Sequence, residues 1–335
     1  MKLPGAVAVI GAGSWGTTLA HVLARKGIPV KLWVRRPELA AMIIQGRQNP
    51  DYLPGISLAS GISVSTSMAE AVAGCRFLIC ALPSHAVRSH FTDFGATVPA
   101  HATLISTTKG IEEGSLLTMT QILSELLFHI PSNRVLALSG PSFAREVALG
   151  KPTAITVAGP DPGPTASVQD LFTTTAVRVY TNFDKLGVEL GGAYKNVIAI
   201  AAGTCDGLEL GHSARGALIT RGLAEISRLG VAMGANPETF AGLTGLGDLV
   251  LTCTGELSRN RFVGLELGRG KPLREILEKM RMVAEGVRTT RAIVSLGEKY
   301  GIDLPIAREV CAILHDGKNP RQSVMDLMGR DLKAE

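Results

Sequence analysis

Short apolar runs punctuate the first half of the chain, each halted by glycine, proline or a polar residue. They occupy residues 7–10, 30–34, 62–64, 77–82, 104–107, 135–138 and 154–157. Runs of this length without polar alternation read as strands buried on both faces, the pattern of a parallel sheet. Helical signals lie between them. Leu19, Val22 and Leu23 recur at helical spacing, with Gly27 as a C-terminal stop. Ser67-Met68-Ala69-Glu70 has the form of a capping box. Strand and helix in alternation predict a parallel sheet with right-handed crossovers. After Tyr180 the strand signal fades, and from Val188 the chain reads as helices separated by glycine-rich loops.

The first strand runs into Gly11-Ala12-Gly13-Ser14-Trp15-Gly16. Gly11 permits the tight turn, Gly13 has no Cβ to block a pyrophosphate, and Gly16 lets the next helix pack closely on the strand. Phosphates would sit on the helix N-terminus, where free N–H groups and the macrodipole favour an anion. The expected fold class is therefore α/β. A Rossmann-like, largely parallel sheet domain spans residues 1–187 and binds a dinucleotide, and an all-α domain spans 188–335 and binds substrate. The end of the second strand normally carries an Asp or Glu for the ribose hydroxyls of NAD. Arg35 and Arg36 stand there instead. An arginine can pair with a 2′-phosphate, so NADPH is the preferred cofactor and NADH the weaker second. The plain alternative is a pair of solvated charges ending a strand.

Composition narrows the ligand and the setting. A chain of 335 residues exceeds the size at which a single core stops growing. The formal net charge of +5 comes from scattered cations, and aromatics are only 4%, which argues against nucleic acid and for an anionic small molecule. Cys75, Cys80, Cys205, Cys253 and Cys311 are odd in number and show no metal-ligand spacing, so they read as free thiols of a reducing compartment. No metal is expected. No run is long and apolar enough to span a bilayer, and the N-terminal residues fit the dinucleotide motif better than a signal peptide, so a cytoplasmic protein is expected.

In open sheets of this kind ligands bind beyond the carboxyl ends of the strands. The residues there include Lys109, Gly140 and Ser142. A lysine at that place would face phosphate or substrate, although a loop lysine alone is usually a surface lysine. On the first helix of the second domain, Lys195 has Gly191, Gly192, Ile198 and Ala199 as its helical neighbours. Asn196 is likewise flanked by small and apolar residues. A packed lysine suits proton transfer during hydride transfer, since desolvation draws its pKa toward neutrality. A lysine that snorkels to solvent is the equal reading on that helix alone. Asp248 sits in an apolar, glycine-flanked loop, a poor place for a charge without a partner. Ser258 is a candidate N-cap that would put Arg259 and Asn260 in a first helical turn, where backbone N–H groups and a guanidinium could hold a phosphate monoester.

Taken in order, GAGSWG, Thr107-Thr108-Lys109-Gly110, Ser139-Gly140-Pro141-Ser142, Tyr194-Lys195-Asn196, residues 243–248, Ser258-Arg259-Asn260 and Glu285-Gly286 resemble the soluble bacterial NAD(P)-dependent glycerol-3-phosphate dehydrogenases over nearly the whole chain. The resemblance implies reduction of dihydroxyacetone phosphate to sn-glycerol 3-phosphate for glycerophospholipid synthesis. It implies Lys195 as proton donor, Lys109 as polariser of the carbonyl, and Asp248 as the group that holds the lysine. Lys109, Gly140, Ser142, Lys195, Asn196, Asp248, Ser258, Arg259 and Asn260 would bind substrate. Gly11, Gly13, Ser14, Trp15, Gly16, Arg35, Arg36, Lys109, Ala144, Arg259, Val283 and Glu285 would bind cofactor. Relatives of this type are commonly dimers, so a homodimer is expected. The alternatives are a 2-dehydropantoate reductase of similar plan, whose substrate carries a carboxylate in place of a phosphate, and a non-catalytic NADPH-sensing protein. The second would have no use for a packed Lys195 with Asp248.

Overall fold

The computed structural model describes residues 6–332. The chain forms two units. The first comprises the residues up to Lys109 together with Leu117–Glu189, and the second comprises Gly110–Leu116 with the residues from Leu190 onward.

The first unit is built on eight strands: β1 (Val7–Ile10), β2 (Val30–Trp33), β3 (Ile62–Ser65), β4 (Phe77–Cys80), β5 (Thr103–Ser106), β6 (Val135–Ser139), β7 (Thr153–Ala158) and β8 (Val177–Asn182). Their order across the sheet is β3-β2-β1-β4-β5-β6-β7-β8. Neighbours from β3 to β6 are parallel in register, for example Val9 beside Leu32 and Ile79. Side chains point alternately to the two faces. Val7, Val9, Leu32, Ile79 and Ile105 pack on one side with Leu19 and Leu23. Ala8, Ile10, Leu78, Cys80 and Leu104 pack on the other with Met68, Val87, Phe91 and Ile122. Both faces are covered, as the unbroken apolar runs require.

Two local expectations change. β7 runs antiparallel to β6, and β8 then follows parallel to β7. The link between β6 and β7 carries the five-residue helix Ala144–Ala148, which packs on the helix Ser14–Arg25. Ser67 caps the helix Met68–Val72 by accepting the Glu70 N–H at 3.3 Å. The Glu70 carboxylate turns instead to the Ser65 hydroxyl at 2.8 Å, so the capping box forms only half.

The second unit contains helices and no strand among the described residues. Its central element is the helix Lys185–Gly207, within which the division between the units falls. Every residue from Leu190 to Thr204 is buried, the mark of a helix enclosed on all sides. It meets the helix Arg259–Gly268 backbone to backbone. A Cβ at Gly203 would lie 1.9 Å from the Arg261 carbonyl oxygen, and one at Gly264 would lie 1.9 Å from that of Ile200. Gly207 and Gly268 repeat the contact one turn on, at 2.3 Å from Leu265 O and 2.5 Å from Thr204 O. Tyr194 is fully buried, and its hydroxyl donates to Glu225 at 2.8 Å. Glu225 also accepts the Ile306 N–H at 2.7 Å, tying three helices together beside Lys195. Among the described residues, no helix is long and apolar enough to cross a membrane.

Candidate functional site

The glycine turn after β1 has the geometry of a phosphate cradle. Gly11 has φ +112°, and a Cβ there would lie 2.7 Å from the Ala81 carbonyl. A Cβ at Gly16 would lie 1.9 Å from Gly11 O, so both glycines are required by the turn and by the close approach of helix to strand. Around Gly13 the space is open, with no atom within 4 Å of a Cβ position. The helix Ser14–Arg25 that follows has no side-chain cap and no acidic residue in its first turn. Trp15 Nε1 is buried and has no hydrogen-bond partner within the described protein. Open space over Gly13, an uncapped helix start and an unsatisfied indole N–H fit a dinucleotide pyrophosphate.

Arg35 and Arg36 follow β2 and are both exposed. Arg36 forms an ion pair with Asp51, and its guanidinium carbon lies 5.9 Å from the centre of the Tyr52 ring. The loop that carries these partners is bolted to the glycine turn by Asn49. This residue is fully buried, and its Nδ2 donates to Ala12 O and to Thr17 Oγ1, both at 2.8 Å. Asn49, Asp51 and Tyr52 were not among the expected site residues. Asn49-Pro50 is a turn signal that could have drawn attention to them.

At the carboxyl ends of β5 and β6, Lys109 and Ser142 converge on one acceptor. Lys109 Nζ donates to Gly140 O at 3.2 Å, and Ser142 Oγ donates to the same oxygen at 3.0 Å. Gly140 has φ +132° and backs onto Ile155, whose Cα would be 3.0 Å from a Cβ there. Thr107 and Thr108 hold the preceding loop through hydroxyl donation to Cys80 O at 2.9 Å and Leu82 O at 2.7 Å. Ala144, half-buried, opens the short helix beside the cradle and accepts from the Thr18 hydroxyl at 3.1 Å.

In the second unit Lys195 is 5% exposed and Asp248 1% exposed. Lys195 Nζ donates to Asp248 Oδ1 and, at 2.7 Å, to the Thr252 hydroxyl. The lysine is packed and paired, and it does not reach for solvent. Asp248 is not in a loop, as its glycine-rich flank implied. It opens the helix Asp248–Thr254, directly after one π-helical turn over Leu243–Gly247. In that turn the Gly247 N–H reaches Gly242 O at 3.1 Å. The wide turn needs Gly245, where a Cβ would meet Phe240 O at 2.1 Å, and such turns recur at functional sites. Thr252 was missed by the sequence reading. Its spacing of four from Asp248 on a helix places both on one face, and its hydroxyl also donates to Asp248 O at 2.6 Å.

Ser258 caps the helix Arg259–Gly268, accepting from the Arg261 N–H at 3.2 Å. Arg259 is exposed in the first turn, while Asn260 is buried. Asn260 Nδ2 donates to Asn196 Oδ1 at 2.9 Å, and Asn260 Oδ1 accepts the Gly286 N–H at 2.9 Å. The two asparagine amides therefore bind each other and the start of the helix Glu285–Tyr300. Glu285 is half-buried at that start, and Val283 is exposed just before it. Gly11, Gly13, Ser14, Trp15, Gly16, Arg35, Arg36, Lys109, Gly140, Ser142 and Ala144 belong to the first unit. Lys195, Asn196, Asp248, Ser258, Arg259, Asn260, Val283 and Glu285 belong to the second.

Residues 6–163 match the N-terminal family profile of the NAD-dependent glycerol-3-phosphate dehydrogenases, and residues 184–325 match the C-terminal one. The chain belongs to this family. It is 53% identical to a glycerol-3-phosphate dehydrogenase [NAD(P)+] of Geobacter sp. strain M21, over 98% of each chain. Among solved structures, the glycerol-3-phosphate dehydrogenase of Coxiella burnetii superposes with a TM-score of 0.93 at 38% identity, covering 97% of this chain and 99% of that one. A 2-dehydropantoate 2-reductase of Geobacter metallireducens, at TM-score 0.60 and 15% identity over 93% of this chain and all of that one, shares the fold.

Proposed function

We propose that this protein reduces dihydroxyacetone phosphate to sn-glycerol 3-phosphate, with NADPH the preferred reductant and NADH the weaker second, and so supplies glycerophospholipid synthesis. The observation that carries the reading is Lys195, enclosed in protein and held by Asp248 and Thr252. A cation is costly to bury unless it is paired and put to use.

The reduced nicotinamide supplies a hydride to the ketone carbon. Lys195 Nζ gives its proton to the carbonyl oxygen as the new C–H bond forms, leaving a neutral amine and the alcohol. Asp248 and Thr252 fix the direction in which Nζ points and favour its recharging by a proton from solvent. Lys109, already directed at Gly140 O, draws charge onto the carbonyl oxygen. Arg259 and the N-terminus of its helix take the substrate phosphate. Gly140, Ser142, Asn196, Ser258 and Asn260 complete the substrate contacts, with the linked amides of Asn196 and Asn260 offering N–H groups that their mutual bond does not use. Gly11, Gly13, Ser14, Trp15, Gly16, Arg35, Arg36, Ala144, Val283, Glu285 and Arg259 bind the cofactor. The first unit is the dinucleotide domain and the second the substrate domain. The reading extends to a homodimer in the cytoplasm, a setting that five unpaired cysteines fit.

The test is NADPH oxidation with dihydroxyacetone phosphate beside 2-dehydropantoate. Turnover confined to the phosphorylated ketone is expected. Preference for the carboxylate substrate would overturn the assignment.

A further inference from the structure

An acidic residue is missing from the end of β2, yet the fold brings one to that place from elsewhere. Asp51 lies 15 residues beyond Arg36 and forms an ion pair with it. Its position is fixed by its neighbours. Asn49 donates to Ala12 O and Thr17 Oγ1 and accepts the Tyr52 N–H at 3.1 Å. Ser14 Oγ, at the start of the phosphate-facing helix, donates to Tyr52 O at 2.6 Å. The segment is thus tied to both the turn and the first helical residues of the dinucleotide cradle. Asp51 follows that cradle rigidly, and the Tyr52 ring backs the Arg36 guanidinium.

We propose that Asp51 sets the choice between the two nicotinamide cofactors. This rests on the reading that Arg35 and Arg36 face the adenosine 2′ position. A carboxylate there accepts the ribose hydroxyls of NADH, taking the part of the absent acidic residue at the end of β2. Against NADPH it acts in the opposite sense. It neutralises one of two arginines and adds a like charge next to a phosphate dianion. The side chains of Arg36 and Asp51 are 44% and 23% exposed, so water and salt screen the effect. Repulsion between a carboxylate and a nearby dianion under such screening weakens binding by about three- to sevenfold. The pair therefore admits both cofactors, with the arginines favouring one and the aspartate the other.

The test measures dissociation constants of NADPH and NADH from the fluorescence of the bound reduced nicotinamide, with no substrate present. It compares the native protein, Asp51→Asn and the double variant Arg35→Ala/Arg36→Ala. Asp51→Asn keeps the shape of the side chain and an oxygen for Arg36. NADPH is expected to bind it about three- to sevenfold more tightly at low salt, with the gain shrinking toward none at about 0.5 M salt. NADH is expected to bind several-fold more weakly. An unchanged ratio of the two constants, or an equal loss for both, overturns the role of Asp51. If the double arginine variant loses no more affinity for NADPH than for NADH, the underlying placement of the 2′ position fails instead. Loss of NADPH in that variant with an unmoved ratio in Asp51→Asn rejects Asp51 alone.

Discussion

Replacing Lys195 by methionine separates what the lysine does for the fold from what it does for the reaction. Methionine fills much of the same volume but carries no charge, so Asp248, 1% exposed, keeps a buried carboxylate without its cation. Breaking a buried pair from one side costs about 3–5 kcal/mol. In a unit of this size each kcal/mol moves the melting temperature by roughly 2–4 °C, so a fall of about 6–20 °C is expected. Adding Asp248→Asn removes the orphaned charge and should return stability to within about 2 kcal/mol of native, because replacing both partners of such a pair is nearly neutral. Chemistry behaves differently. General acid catalysis contributes roughly 10²–10⁴ in rate, and no neutral partner at position 248 restores a proton donor. Lys195→Met and the double variant should therefore share a kcat lowered by at least a hundredfold while NADPH affinity stays near native. Denaturant unfolding followed by circular dichroism, steady-state turnover and fluorescence titration of NADPH give the three quantities. Stability losses that simply add would mean that the pair does not act as a pair. A kcat within tenfold of native in Lys195→Met would remove the lysine from the proton-donor role.

Arg259→Ala should raise KM for dihydroxyacetone phosphate by about ten- to a hundredfold, the worth of one charge-assisted hydrogen bond, with a smaller change in kcat. Equal KM values would free Arg259 from phosphate binding. Gly264→Ala gains about 1 kcal/mol of helix propensity. It nevertheless loses more than that, because the new Cβ would stand 1.9 Å from Ile200 O and overpacking costs about 1–3 kcal/mol or more; calorimetry showing a raised melting temperature would contradict the contact. Burial holds the His21 imidazole below its usual pKa of 6.5, with Arg25 adding to the shift, and its Nδ1 accepts the Ala59 N–H at 3.2 Å. The folded state thus prefers neutral His21. Its contribution is complete above about pH 6.5 and is lost as pH falls through the lowered folded value. His21→Gln should show a smaller loss of melting temperature between about pH 7 and pH 5 than the native protein, and equal losses would assign the pH dependence elsewhere.

Much of the first unit is legible in the chain because its signals are local. Seven apolar runs name seven strands, and the glycine turn identifies the ligand side of the sheet. The reversal of β7 escapes such reading, since an apolar run reads the same whichever way the strand points, and the helix Ala144–Ala148 in the link takes its place from packing on the helix Ser14–Arg25. In the second unit, the small neighbours of Lys195 signal burial, but they do not name its partner. Asp248 lies 53 residues away in sequence, and the π turn that aims it comes from a steric fit between Gly245 and Phe240. Thr252 and Asp51 were missed for a related reason. A hydroxyl on an ordinary helix and an acid in an ordinary loop gain meaning only from what the fold sets beside them. Asn196 and Asn260 show the converse: residues expected only as substrate contacts join three helices through their side-chain amides.

The contact between Lys185–Gly207 and Arg259–Gly268 sets limits on how this protein can change. At most helix interfaces a substitution is absorbed by a new rotamer on the other side, so the spacing drifts in small steps. Here Gly203, Gly207, Gly264 and Gly268 put main chain against main chain, and there is no rotamer to adjust. The spacing between the helix of Lys195 and the helix of Arg259 is discrete. Sequence change elsewhere can tune the surroundings of either residue, but moving one helix against the other requires several coordinated substitutions at once.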